Sequence, residues 1–146
     1  MRNWIWLAGA GFASLSVASA ESCPAGQEAI NRAFEGPSDS RGFSAELLAT
    51  VGIREDLAPT AAHRIIRITI QPGGYLSMHD HKSAQGGAVI LSGTAVEYRS
   101  DCKVPVLREP GDVATEHEGL THWWSNQGDE PLVALVSHTF ALPDED

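Results

Sequence analysis

Gly73-Gly74-Tyr75-Leu76-Ser77-Met78-His79-Asp80-His81 is the stretch whose reading decides the fold. It follows an alternating segment, residues 64–70, and a Gln71-Pro72-Gly73-Gly74 turn signal. On a strand, residues two apart share a face, so His79 and His81 can aim their imidazoles at one point while Asp80 points away. A neutral imidazole nitrogen suits Zn, Cu, Fe and Ni. A His-x-His pair is a weak signal by itself, because surface histidines often stand at that spacing.

A second stretch raises its weight. Gly111 is followed by Gly119, His122 and Asn126. Pro110-Gly111-Asp112 reads as the tight turn that opens it. Taken in order and spacing, the two stretches resemble the paired motifs of the cupin superfamily. The first motif there is a Gly, five residues, HxH, three or four residues, Glu, six residues and Gly. The second is a Gly, five residues, PxG, two residues, His, three residues and Asn. Gly73, His79, His81 and Gly93 follow the first, and Gly111, Gly119, His122 and Asn126 follow the second. The resemblance spans roughly residues 64 to 140. It implies an all-β chain with a single jelly-roll β-barrel. It also implies one divalent metal ion (Fe, Mn, Zn, Ni or Cu) held by His79, His81 and His122.

Two positions depart from the pattern. The Glu of the first motif is missing: counting forward from His81 gives Gln85, counting back from Gly93 gives Gly86. His117 stands where the second motif has Pro. Without that Glu, the metal would have three neutral ligands, with or without Gln85, and open positions for water, O₂ or an anion. The superfamily spans enzymes, binders and storage proteins, and its three-His members include iron dioxygenases. The expected role is therefore binding or sensing of a small molecule. The alternative is a metal-dependent dioxygenase, or a lyase or isomerase, acting on a small molecule.

Working outward, short strands are expected at residues 44–51, 64–70, 88–91, 94–98, 104–107, 113–115 and 132–140, with Gly and Pro turns between them. Many short strands with little helix suggest a sandwich or barrel. Ile66, Ile68 and Ile70 should face the core. In Thr121-His122-Trp123-Trp124-Ser125-Asn126, Trp124 shares the face of His122 and is a candidate pocket wall, or plain packing. Trp123 points outward and is expected to anchor a homodimer; the competing reading packs it under the N-terminal segment of its own chain. His138 lies on the apolar face of the last strand, as a buried histidine with one partner or as a pocket residue. Met78 and Tyr75 are placed along the barrel lining, Met78 as a pocket candidate. Glu116, His117 and Glu118 read as a solvated loop, with no spacing argument for Glu116 as a replacement carboxylate. His63 reads as exposed.

The chain divides into residues 1–20, 21–43 and 44–142. The first part has Arg2, an apolar run and Ala18-Ser19-Ala20, the pattern of a secretory signal peptide. With no twin-arginine pair and no stable membrane anchor expected, it points to the general secretory route and a periplasmic or secreted protein. Residues 21–43 read as a segment with a short helix at 22–34 and a linker at 35–42. The barrel follows. Cys23 and Cys102 can form a disulfide in an oxidising compartment, or stay as separate thiols, or pair between chains. A net charge of −9, more acidic once Arg2 is removed, argues against nucleic acid. No G-x-S-x-G, phosphate-cradling loop or Cys metal cluster competes with the histidines.

Overall fold

Isoleucines at every second position of Arg64-Ile65-Ile66-Arg67-Ile68-Thr69-Ile70 build the strand on which the rest is hung. The computed structural model describes residues 23–58 and 60–142, and the signal peptide expected at residues 1–20 lies outside them. Eight strands follow in chain order: β1 (Arg41–Gly52), β2 (Ala61–Asp80), β3 (Ala84–Ser92), β4 (Ala95–Arg99), β5 (Val106–Arg108), β6 (Val113–Glu116), β7 (Thr121–Ser125) and β8 (Leu132–Ala141). They form one antiparallel sheet in the order β5-β4-β7-β2-β8-β3-β6, with β1 added on β2. The architecture is the all-β jelly-roll barrel that the sequence implies.

β2 is the spine. Its first half, to Ile70, pairs with β1 and β8, and its second half, from Tyr75, pairs with β7. The expected turn at residues 71–74 is instead a bend inside one continuous strand. Gly73 sits at φ +70°, a conformation open to Gly, and a Cβ at Gly74 would lie 2.6 Å from the Arg41 carbonyl. Asn126, fully buried, pins the bend. Its Nδ2 donates to the Ile70 and Glu130 carbonyls at 2.8 Å each, and its backbone exchanges bonds with Gly73 and Gly74. The strand therefore changes partners without reversing.

The core is Ile68, Ile70, Ile90, Trp124, Leu132 and Val136, with alanines between them and Phe43, Ile66 and Leu76 at its margin. Inward positions alternate with outward ones along β4, β6, β7 and β8. With β2 and β3, core side chains from six strands meet in one interior.

The N-terminal segment differs from expectation. No helix forms at residues 23–34. Ile30 is 94% exposed, so such a helix would have little to bury. The backbone pairs instead with the loop after β4, through Ala29 N–H to Asp101, Arg32 N–H to Ser100 and Lys103 N–H to Gln27. Cys23 and Cys102 form an intrachain disulfide with Cα atoms 5.5 Å apart. The strand expected from residue 44 begins at Arg41, inside the stretch read as linker.

Trp123 also resolves within the chain. It stacks on Tyr98, with ring centroids 4.0 Å apart and planes 2° apart. Gly36 lies against its indole, where a Cβ would come within 2.6 Å of Cδ1. The outward Trp is thus partly covered by its own N-terminal segment, which leaves it half-buried.

Candidate metal centre

His79 is the penultimate residue of β2, His81 follows the strand, and His122 lies on β7 directly across from His79. A register irregularity between Leu76 and His79 shifts the inward face, so His79 joins Leu76 and Ser77 in lining the cavity. The Nε2 atoms of His81 and His122 lie 2.9 Å apart, and those of His122 and His79 lie 3.1 Å apart. His81 and His122 are buried, His79 is half-buried, and Asp80 points into solvent, where it pairs with Lys82.

The other ring nitrogens explain what those contacts are. Nδ1 of His79 donates to the Ser77 carbonyl at 2.9 Å, and Nδ1 of His81 to the Ala84 carbonyl at 2.9 Å. Nδ1 of His122 donates to Glu97 Oε1 at 2.7 Å, closer than the Trp124 indole N–H at 3.3 Å from the same nitrogen. With each proton committed on Nδ1, a neutral ring has only a lone pair on Nε2. Three lone pairs meeting at about 3 Å cannot satisfy one another by hydrogen bonds. That spacing fits neighbouring nitrogens bound to one ion at about 2.0–2.1 Å. Burial, with His122 close by, pushes the His79 imidazole down to about 4, and burial lowers His81 as well, so both stand in the ligand form at neutral pH.

Behind His122 lies a buried ionic network. Glu97, on β4, accepts from His122, from Arg99 at 2.8 Å and from Arg108 on β5 at 2.8 Å. Burial alone would raise its carboxyl, but His122 and the two guanidiniums outweigh it and hold it at about 2. Arg99 continues outward to Asp101 at 2.8 Å. A carboxylate behind a metal-facing imidazole fixes its tautomer and orientation. These residues were missed in the sequence, although Ala95-Val96-Glu97-Tyr98-Arg99 carries the signal. On an alternating strand Glu97 and Arg99 share the inward face of Ala95.

Gln85 does not join the cluster. It is exposed, and its amide donates to the His81 and Lys82 carbonyls at 3.3 Å each. Gly86, also exposed, stands in register with Glu116 of β6 and His138 of β8. Glu116, read as solvated, ends β6 and is only 4% exposed. It shares the inward face of Ala114, a two-residue alternation too short to stand out beside the acidic loop. His138 is buried and its Nε2 donates to Glu116 Oε2 at 2.5 Å. Burial would raise the Glu116 carboxyl, but the hydrogen bond with His138 outweighs it and keeps it low.

A cavity of about 280 Å³ opens beside the three histidines. Phe43, Ile66, Leu76, Trp124 and Val136 make its apolar wall, and His79, His122, Glu116 and His138 make its polar end. Met78 lies elsewhere, against Gly36 and the groove that carries Arg32 and Phe34. His117 is exposed and meets Asp101 at 3.0 Å, and His63 meets Ser137 and Thr139 on the barrel surface.

Comparison with known proteins agrees with this arrangement. The family model described as Cupin domain matches residues 66–138, half of the chain. A germin-like protein 5-1 from Oryza sativa subsp. japonica is 31% identical over 101 residues, 66% of this chain and 42% of the relative. The auxin-binding protein ABP19b from Prunus persica is 28% identical over 82 residues, 54% of this chain and 39% of the relative. The chain thus matches less than half the length of either relative. Among solved structures, a protein from Thermotoga maritima described as a predicted oxalate decarboxylase aligns with TM-score 0.52 and 25% identity, covering 74% of this chain and 91% of that one. A cupin-2 domain from Rhodospirillum rubrum aligns with TM-score 0.56 and 21% identity, covering 74% and 66%.

Proposed function

Since this chain belongs to the cupin domain family, we propose that it is an exported small-molecule binding or sensing protein built on one divalent metal ion. His79, His81 and His122 hold the ion. The observation that carries this reading is the convergence of three Nε2 lone pairs whose Nδ1 protons are all engaged elsewhere. A bound ion supplies Lewis acidity and open positions for an oxygen donor. The adjoining cavity supports a ligand with an apolar body that packs on Phe43, Leu76 and Trp124 and a polar end directed at the histidines. Export, to the periplasm or outside the cell, draws support from the signal-like first twenty residues and from the Cys23–Cys102 bridge, a bond typical of oxidising compartments.

The test is elemental analysis of purified protein, followed by titration of the demetallated protein with Zn²⁺, Mn²⁺ and Fe²⁺. Stoichiometric binding of one ion supports the reading, and no binding by any of the three sinks it. Thermal-shift screening of the loaded protein against small acids and phenols then addresses the ligand.

One observation favours an enzyme, acting as a dioxygenase, lyase or isomerase. The Glu116–His138 pair lines the same cavity and is suited to hold a proton beside a bound substrate. Oxygen consumption by the iron-loaded protein over small diketones, phenols and thiols tests the dioxygenase form of this reading.

A further inference from the structure

Three neutral imidazoles leave both positive charges of a divalent ion uncompensated at the end of a largely apolar cavity, a costly arrangement without an anionic partner. β3 is the strand from which the first motif would supply one, and here it cannot. Gln85 points outward and its amide is engaged by backbone. The other position the motif's spacing allows is Gly86, and a Cβ built there would collide with the Ser137 carbonyl. No residue with a side chain fits that position while β8 keeps its register.

Gly86 is flanked by its two register partners, Glu116 and His138. The Glu116 carboxylate is buried beside the cluster. Its Oε1 is 3.8 Å from His122 Nε2, and the ligating atoms of His81, Glu116 and His138 all lie within 4.8 Å of one another. His138 Nδ1 is buried with no hydrogen-bond partner. Its Nε2 donates to Glu116 Oε2, so the bond that holds the carboxylate uses one of its two oxygens. The other buried carboxylate at the site, Glu97, is committed to Arg99, Arg108 and His122 and cannot turn to an ion.

We propose that Glu116 is the fourth protein ligand of the metal, supplied from β6 in place of the carboxylate that β3 has no room to carry, and that His138 is the positioning residue that holds it. This rests on the three-histidine reading and adds the anionic member of the site.

The experiment is a crystal structure of the wild-type protein loaded with Zn²⁺, with the ion located by its anomalous scattering, beside a chelator-competition measurement of Zn²⁺ affinity for wild type and Glu116→Gln. The expected result is an ion bonded to the three Nε2 atoms with a Glu116 oxygen within about 2.2 Å. The substitution should lower affinity by at least about tenfold. An ion held by the three histidines with Glu116 still on His138, more than about 3 Å away, overturns the proposal and leaves the three-histidine site standing. Equal affinities overturn it in the same way. If Glu116→Gln does not fold, the wild-type crystal decides alone. No ion at His79, His81 and His122 overturns both readings.

Discussion

At the scale of single residues, the site separates imidazoles that converge on one point from groups that orient them. Replacing His79, His81 or His122 by Ala removes a converging lone pair, so metal content by elemental analysis should fall to a small fraction of wild type. Asp80→Ala should leave it unchanged, because Asp80 faces solvent beside Lys82. Gln85→Glu should also leave Zn²⁺ affinity unchanged in a calorimetric titration, since that side chain points away from the histidines. A several-fold tightening there would mean that β3 bears a ligand after all. Glu97 acts one step back. Glu97→Ala leaves Arg99 and Arg108 as buried charges without their shared partner, and should cost about 3–5 kcal/mol in urea unfolding.

At the scale of elements, the decisive feature is the bend of β2, because it carries His79 and His81 from the β8 side of the barrel to the β7 side. Asn126 holds that bend from the other motif. Asn126→Ala should strand the Ile70 and Glu130 carbonyls and the Gly128 N–H, at a cost of about 2–4 kcal/mol in the denaturant midpoint. Metal affinity should weaken with it, since the bend sets where β2 meets β7. The loop after β4 is the second such feature. Burial tends to raise the Asp101 carboxyl, but Arg99 and His117 outweigh it and hold it below its ordinary value of 3.8. A depressed carboxylate stabilises the folded state above the unfolded pKa, and that contribution disappears as pH falls through the folded one. Asp101→Asn should therefore reduce stability at neutral pH and flatten its loss below pH 3.8, read from denaturation midpoints across an acid series.

At the scale of the whole molecule, the N-terminal segment is a strap rather than a helix. It crosses Trp123, pairs with the loop after β4 and is closed by the Cys23–Cys102 bond across a separation of 79 residues. Cys23→Ser should destabilise the protein by about 2–5 kcal/mol, since a long loop regains its freedom in the unfolded chain. The same strap makes Trp123 an internal contact. Light scattering should accordingly find the same association state for wild type and Trp123→Ala, whatever that state is. A dissociated variant would place Trp123 in an interface.

What the sequence determined by itself was whatever is local and periodic. Alternation in residues 64–70 and 132–140 fixed two strands and their inward faces, and the spacing of His79, His81, His122, Gly111, Gly119 and Asn126 was enough to pick out the barrel and its three convergent imidazoles. Period-two geometry is a property of the backbone, so it survives without knowledge of partners. What only the tertiary structure decided depends on which strand lies beside which. Gly86 facing Glu116 and His138, Glu97 reaching His122, and Cys23 meeting Cys102 are each products of pairing between distant segments. Glu116 looked solvated because its sequence neighbours are. It is buried because β6 pairs with β3 and puts it on the inward face, where it meets His138 of β8.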